Sequence, residues 1–192
     1  MPDGELQPAL GTWEAIDSLR VVREFDPRPL EPWIVERILN AGRRTGSSKN
    51  RQRWAFVVCR DRGQLAQLAT LGPWAGHLAG AAVAIALVTP DPRVADAPLS
   101  ITWDLGRVAQ NMALAAHSLG AGTCWLGLIK LLMYLPKWRR LFGVRYPYRL
   151  NDVIGVGWPA GDYDGHVPRE VQLVQWFEGG MKDPPRVERQ GE

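Results

Sequence analysis

Three segments of the chain carry basic, polar or glycine-rich residues in a spacing that packing alone does not require. The first is Arg20-Val21-Val22-Arg23, in which a helical backbone would turn both guanidinium groups to the same side. Such a pair suits a phosphate, because each guanidinium offers a planar set of N–H donors and a fixed charge. The alternative is two exposed arginines without a ligand.

The second and third segments are rich in small residues. Residues 45–52 read TGSSKNRQ, and their hydroxyl and amide groups could donate to and accept from a planar polar ring, or form an ordinary solvated loop. Residues 120–127 read GAGTCWLG and follow the most strongly periodic helix of the chain. Glycine lets a backbone approach a ligand closely, although a helix C-cap followed by a buried strand also explains this segment.

Other kinds of catalytic site lack their sequence signatures. His77, His117 and His166 are far apart and have no His or Glu partner at i+4, which argues against a metal site. GxSxG, GxxxxGK[ST] and GxGxxG are all missing from the sequence, so the hydrolase, P-loop and dinucleotide-binding motifs are unsupported. Cys124 is interpreted as a small buried hydrophobic residue in preference to a nucleophile.

A basic and aromatic stretch covers residues 137–149, KWRRLFGVRYPYR. Stacking rings and arginines could bind single-stranded nucleic acid. A solvated face, on which arginines lay their aliphatic stems, is the simpler explanation. The chain carries 23 Lys and Arg against 20 Asp and Glu, and a net charge of +3 does not demand nucleic acid. We therefore expect no nucleic-acid partner.

The composition is that of one globular domain. With 192 residues, 46% of them hydrophobic, the chain can bury a core without disulfides or a metal. Its two cysteines lie 65 positions apart, which suits a reducing compartment. The apolar stretch at 78–88 is far shorter than the roughly 20 residues that span a bilayer. We expect a cytoplasmic protein without a membrane partner, with a domain over 12–178 and flexible segments at 1–11 and 179–192.

Hydrophobic periodicity predicts alternating helices and strands that must position these segments. The first predicted helix is capped by Thr12, with Trp13, Ile16 and Leu19 as its buried stripe. Further helices are predicted from Pro32, over 64–70, from Ser100 to Gly120 and over 131–142 with a break at Pro136. Strands are predicted at 54–59, 82–88, 122–129 and 153–158, the second of them buried on both faces, and a largely apolar run lies at 171–177.

Taken in order, these segments resemble the nitroreductase family of flavoproteins. Residues 19–26, LRVVREFD, are similar to the family pattern R-R-S-x-R-x-F-D. Residues 45–56 resemble A-P-S-x-x-N-x-Q-P-W-x-F at Ser47, Asn50, Gln52, Trp54 and Phe56. Residues 104–120 resemble D-x-G-x-A-x-Q-N-x-x-L-x-A-x-x-x-G, and residues 155–159 resemble G-x-G-x-P. The likeness spans about residues 16–174, which is most of the chain.

The resemblance implies an α+β fold: a three-layer sandwich with a central, mostly antiparallel sheet flanked by helices, in an intertwined homodimer. It implies two FMN molecules at the dimer interface, each touched by both subunits. The implied reaction passes two electrons from NADH or NADPH through flavin N5 to a small organic acceptor of nitroaromatic, quinone or enone type. The flavin then carries the chemistry, so neither a catalytic side chain nor a metal is implied.

The family's cofactor contacts can be carried over by position. Arg20 would meet the FMN phosphate or ribityl chain beside the Val21 main chain, and Arg23 would face the pyrimidine edge of the ring. The implied loop that lines the flavin holds Ser47, Ser48 and Asn50. The implied strand behind the ring near N5 holds Trp125, Leu126 and Gly127. A second phosphate ligand is implied at Arg169.

The sequence departs from the family pattern at Leu19, Val21, Gly46 and Arg53, where the family has Arg, Ser, Pro and Pro. One charge and one hydroxyl are thereby lost near the implied phosphate. Two functions remain open, an FMN-dependent NAD(P)H oxidoreductase and a flavin- or deazaflavin-binding carrier or sensor without turnover. Bleaching of a yellow protein by NAD(P)H distinguishes the first from the second.

Overall fold

A computed structural model describes residues 10–93, 100–127, 135–161 and 163. The helices of these ranges are α1 (Thr12–Ser18), α2 (Pro32–Arg43), α3 (Arg62–Ala69), α4 (Ser100–Ser118) and α5 (Leu135–Leu141). The strands are β1 (Phe25–Asp26), β2 (Ala55–Cys59), β3 (Val83–Pro90), β4 (Gly122–Gly127) and β5 (Tyr148–Pro159). Short 3₁₀ helices form at Ser48–Asn50 and Gly76–Ala79. Arg169, the apolar run at 171–177, the segment 179–192 and most of the segment 1–11 lie outside the described residues.

The strands form one antiparallel sheet with β5 inside it. Strand β5 pairs with β3 on one edge and with β4 on the other, so that Ala84 and Cys124 both lie opposite Gly155. Strand β2 extends the sheet beyond β3, and the two residues of β1 pair with the last two of β5. The α+β class with a mostly antiparallel sheet is therefore confirmed.

Helices cover both faces of this sheet and complete the three layers. Helices α2 and α4 bury Ile38 and Met112 against Ile85 on one face. Helices α3 and α5 bury Leu68 and Trp138 on the other face, in the same cluster as Ala84 and Ala86. Because β3 receives a helix layer on each side, its seven residues Val83 to Thr89 are all buried. The unalternating apolar strand and the apolar face of α2 are confirmed.

Helix α1 does not bury the stripe that its spacing predicts. Ala15 is buried, whereas Trp13 is 77% exposed and Ile16 is 43% exposed. Thr12 is the first helical residue and Gly11 is the N-cap, so the expected start by Thr12 capping is wrong. Apolar spacing indicates a helix face that favours burial, but within the described part of the chain no element covers this one.

One further boundary differs from the prediction. Helix α5 holds Pro136 as its second described residue, and residues 131–134, where the predicted helix would begin, lie outside the described residues. Strand β5 starts at Tyr148, five residues before the predicted strand, since pairing with the end of β3 extends it through a polar stretch. Pairing partners, which local periodicity does not reveal, determine its length.

A glycine in β4 allows the chain between α1 and β1 to lie directly on the sheet edge. The Val22 N–H donates to the Thr123 carbonyl at 2.9 Å, and Val21 forms a parallel bridge with Thr123. A Cβ added to Gly122 would lie 2.5 Å from Val22 Cγ2 and 2.6 Å from Val22 Cβ. Only a residue without a side chain fits there, so Gly122 fixes the path of residues 19–22.

We predict that Gly122→Ala lowers the free energy of unfolding by about 1–3 kcal/mol, the usual cost of overpacking a filled site. Denaturant titration measures it. Gly76→Ala is the matched control, because no atom lies within 4 Å of a Cβ added at Gly76. Equal stability of the two variants would contradict the close contact with Val22.

Candidate functional site

A cavity of about 400 Å³ lies between the chain after α1, one side of α4 and the sheet. Its lining comes from three separate stretches of the sequence: Leu19, Arg20 and Val21; Ala109, Gln110 and Ala113; and Thr123, Trp125 and Ile154. The walls are mainly apolar, with a guanidinium, an amide and a hydroxyl at defined points. Cavities of this size and character are typical of small-molecule sites.

The end of α1 determines how the first stretch lines this cavity. Leu19 terminates the helix in an extended conformation, with φ −57° and ψ 128°, and the next residues run along β4. Arg20 is half-buried, and its Nε donates to the Tyr163 carbonyl at 3.2 Å. Val21 is exposed at the cavity, whereas Val22 is buried in the core.

The expected helical arrangement of Arg20 and Arg23 is wrong. Helix α1 ends before both residues, and in an extended chain side chains three positions apart leave opposite faces. Arg23 is exposed and does not line the cavity. Its charge instead acts on His77 and Cys124. The two guanidinium groups therefore do not converge on a single phosphate, as those of a helical pair would.

Strand β4 turns alternate side chains to the two faces of the sheet. Trp125 lines the cavity and is 48% exposed, whereas Leu126 is buried in the core cluster under α3 and α5. Gly127 lies opposite Asp152 on β5. Only the Leu126 main chain, and not its side chain, is therefore available at the cavity side.

Asp152 is a carboxyl that sequence reasoning missed. Burial raises its pKa, and a hydrogen bond with the Trp125 side chain partly opposes that rise. A carboxyl whose pKa is raised by burial, beside an indole that lines a cavity, is a candidate functional group. No sequence signal pointed to Asp152, because its place beside Trp125 is set by the pairing of β4 with β5.

The loop after α2 is attached to α4 by side-chain hydrogen bonds. The Asn111 amide donates to Thr45 Oγ1 at 2.8 Å, and Thr45, which is buried, donates to the Ala41 carbonyl at 3.2 Å. The Ser48 N–H donates to Asp104 Oδ2 at 3.4 Å, and Asp104 is also ion-paired with Arg107. These anchors hold the loop in one conformation.

The tip of this loop has an unusual backbone. Lys49, Asn50 and Gln52 have φ values of 53°, 52° and 44°, a region that non-glycine residues rarely adopt. Ser47 Oγ accepts a hydrogen bond of 2.8 Å from the Gln52 N–H, which closes the turn. Strained, well-anchored loops often present groups to a ligand. Ser47, Ser48 and Asn50 thus share one turn, as their spacing suggests.

This loop and the cavity lie on different sides of α4. At 3.6 residues per turn, Asp104 and Asn111, which anchor the loop, project from one side of the helix. Ala109, Gln110 and Ala113, which line the cavity, project from the opposite side. Accordingly, Ser47, Ser48 and Asn50 do not line the cavity within one chain, whereas Arg20, Val21 and Trp125 do.

The roles of Gln110 and Asn111 were not predicted from the sequence. Both match letters of the family pattern, yet one faces the cavity and the other anchors the loop. Adjacent helical residues project about 100° apart, so the different directions of Gln110 and Asn111 follow once the buried face of α4 is known. Thr45 gave no signal, because a polar loop residue is not expected in the core.

Neither cysteine nor histidine chemistry is favoured at this site. Burial raises the pKa of Cys124, so its thiol stays protonated, and its side chain packs with Val22, Phe25 and Ala81. Among the described residues, no three His, Cys, Asp or Glu side chains come together as metal ligands. Of the helices in the described ranges, none combines the length and apolar character needed to cross a bilayer.

Comparison with known proteins agrees with this architecture. The nitroreductase family profile matches residues 16–76 and 69–158, and the chain belongs to the nitroreductase family. A candidate NADH dehydrogenase/NAD(P)H nitroreductase of Methanothermobacter thermautotrophicus is 31% identical over 166 residues, covering 85% of this chain and 86% of that protein.

Two crystal structures illustrate the similarity. A candidate NADH dehydrogenase/NAD(P)H nitroreductase of Parabacteroides distasonis superposes with a TM-score of 0.78 at 26% identity, covering 88% of this chain and 98% of that one. A candidate nitroreductase of Desulfovibrio desulfuricans, solved in complex with FMN, gives a TM-score of 0.74 at 26% identity and covers 88% and 99% of the two chains. The expected family and fold are confirmed.

His77, next to Arg23, gives a prediction about acid stability. Its Nδ1 donates to the Trp74 carbonyl at 3.0 Å, and its buried Nε2 has no hydrogen-bond partner in the part of the chain that the structure describes. Burial, with the nearby Arg23 charge, lowers the pKa of His77, and the bond to Trp74 opposes this. The unfolded chain therefore binds the proton more readily, so stability is lost as pH falls below the ordinary value of about 6.5.

We predict that His77→Gln loses less stability than the wild type between about pH 8 and about pH 5.5, because its residue 77 takes up no proton on unfolding. Denaturant titrations of both proteins at the two pH values measure the difference. Identical losses in the two proteins would mean that His77 titrates normally in the folded state.

Proposed function

We propose that the protein is an FMN-dependent oxidoreductase that transfers two electrons from NADH or NADPH to a small organic acceptor. One observation carries the proposal. Trp125 is more than 100 positions after Arg20 and Val21 in the sequence, yet all three residues line one cavity. The family resemblance implies the same three residues as cofactor contacts from their sequence positions alone. Membership of the family and the FMN complex of the Desulfovibrio desulfuricans relative support the same assignment.

The residues of the cavity fit FMN. The indole of Trp125 with Ile154 and Ala113 offers an apolar wall for a flat ring, and the Arg20 guanidinium offers charge-assisted donors for a phosphate. When bound, FMN would supply the two-electron chemistry. Arg20 with the Val21 main chain would hold the phosphate end, and Trp125, the Leu126 main chain and Gly127 would limit water access behind the ring.

Two arginines outside the cavity lining are also assigned roles in this proposal. Arg23 would face the pyrimidine edge of the ring, where a fixed positive charge stabilises a developing negative charge. Arg169 would be a second ligand for the phosphate and compensate for the serine and arginine that are replaced by Val21 and Leu19.

We further propose a homodimer in which each FMN lies between two copies. Two observations support it. Trp13, Ile16 and Trp103 are exposed to 77%, 43% and 79%, and aromatic residues are typical of the centre of protein interfaces. The loop with Ser47, Ser48 and Asn50 and the cavity lie on opposite sides of α4, so a second copy is needed to bring such a loop to a cavity.

An absorption spectrum of the purified protein tests the proposed function. We expect the two bands of bound flavin before reduction and loss of the yellow colour when NADH or NADPH is added without oxygen. Bound flavin that neither donor reduces would favour the carrier or sensor instead. A protein that purifies without flavin and does not bind added FMN would contradict both functions.

We predict that Arg20→Ala weakens FMN binding at least about tenfold, since a hydrogen bond to a charged group contributes roughly 1.5–3 kcal/mol. Leu19 and Val21 leave few other donors near the phosphate. Fluorescence titration with FMN measures the dissociation constant. Arg37→Ala is the matched control, because Arg37 is an exposed arginine of α2 away from the cavity. Equal affinity of both variants would remove Arg20 from the site.

The shared site predicts complementation between two defective proteins. If Arg20 of one copy and Asn50 of the other serve the same flavin, a mixed dimer of Arg20→Ala and Asn50→Ala chains keeps one intact site. Unfolding and refolding the two variants together should therefore recover FMN binding that neither variant has alone. No recovery, in mixed dimers verified by tagged copurification, would mean that both residues act within one chain.

A further inference from the structure

A second cavity, of about 330 Å³, lies where the end of β3, the start of β5 and helix α5 meet. Its lining includes Arg93, Arg139 and Arg149. An adjoining concave region of about 410 Å³ shares Arg139 and adds Arg140 and Arg145. Five arginines therefore surround two connected depressions in a chain whose net charge is only +3.

Among the described residues, Asp91 is the one carboxylate in the lining of the two depressions, and it is paired with Arg93. Arg93 donates to Asp91 from a terminal nitrogen at 2.6 Å and from Nε at 3.0 Å. This pairing holds the pKa of Asp91 far below its usual range, with a smaller contribution from the Arg149 charge. Arg139, Arg140 and Arg145 have no carboxylate partner among the described residues, and Arg149 acts on Asp91 through its charge without an ion-pair contact.

Arg139 is the residue at the centre of this cluster. A terminal nitrogen of its guanidinium donates to the Tyr148 carbonyl at 3.4 Å, while its Nε is buried and has no partner among the described residues. An unpaired donor on a cation that is shielded from water costs free energy. Because this Nε is closed off from solvent, an anion in the cavity would bind through other guanidinium nitrogens of the cluster, and it would reduce the repulsion among the neighbouring arginines.

The shape and chemistry of the cluster favour a phosphate group on a small molecule. A guanidinium matches a phosphate with two parallel N–H donors, which a single ammonium cannot do. A strand of nucleic acid would instead need a long track with rings for stacking. Trp138, near the start of the basic stretch, is fully buried, donates to the Leu71 carbonyl and packs on the buried Phe142. Tyr146 and Tyr148 are the two exposed rings of this stretch, too few for a long stacking track.

We propose that Arg139 and Arg149, with Arg140 and Arg145 beside them, bind a phosphate monoester. Two sources carry this chemistry: the 2′-phosphate of NADPH, which NADH lacks, and inorganic phosphate. Arg149 precedes Asp152 by three residues of β5, about 10 Å at the rise of a strand, and Asp152 lies opposite Gly127. A dinucleotide that reaches the candidate cofactor site is thus one possible bearer of the phosphate, and this source alone rests on the proposed function.

Calorimetric titration of the full chain with 2′-AMP and with inorganic phosphate tests the site. We expect saturable binding of at least one of these probes, weakened at least tenfold in Arg139→Gln and in Arg149→Gln, which corresponds to about 1.4 kcal/mol. Arg37→Gln, which removes the same charge elsewhere, should bind as the wild type does. Arg149 is exposed, so its substitution should not affect folding, and Arg139→Lys keeps the charge should Arg139→Gln fail to fold.

A second measurement distinguishes the two sources. If the site holds the 2′-phosphate of NADPH, Arg149→Gln lowers the ratio of kcat/KM for NADPH to that for NADH at least tenfold. An unchanged ratio together with weakened phosphate binding assigns the site to inorganic phosphate. Either result supports the phosphate site.

Three results would overturn it: no saturable binding of either probe, equal binding by the wild type and both variants, or binding of a single-stranded oligonucleotide alone. The titrations need neither FMN nor turnover. Their failure is therefore distinct from a failure of the proposed function, which the absorption spectrum tests.

Discussion

Strand β5 is hydrogen-bonded along both edges, to β3 and to β4, and is covered by helices on both faces. The buried part of β5, Val153 to Gly157, is apolar on each side, and it can accept close neighbours only where it has no side chain. A Cβ added to Gly155 would lie 2.9 Å from Leu78 and 3.0 Å from His77. The position of β4 beside this strand then determines that Trp125 faces the cavity and that Leu126 faces the core.

Helix α4 relates the other two parts of the candidate site. Its buried side joins α2 and the sheet through residues such as Val108 and Met112. One flank, with Gln110, lines the cavity, and the opposite flank, with Asn111, anchors the loop of Thr45. A single helix therefore keeps two groups of ligand-binding candidates at a fixed separation, and the proposed homodimer would bring one group from each chain together.

Local periodicity predicted those elements whose burial follows from one strong signal. Helix α2, with Ile34 and Ile38, and strand β3 with its unbroken apolar run are of this kind, because each faces a layer of its own chain. The stripe of Trp13 and Ile16 has the same spacing but no layer of the described chain over it. The early start of β5 at Tyr148 depends on pairing with β3, a partner nearly 60 positions away in the sequence.

By itself, the sequence determined the family, the mixed class of the fold, and a set of residue types suited to a phosphate and a planar ring. Only the tertiary structure decided which of them meet. It brought Arg20 and Trp125 to one cavity, left Arg23 outside the lining of that cavity, and gathered Arg93, Arg139 and Arg149 around another. The physical reason is that side-chain direction depends on where a helix ends and which strands pair, and both are set by contacts between residues distant in the chain.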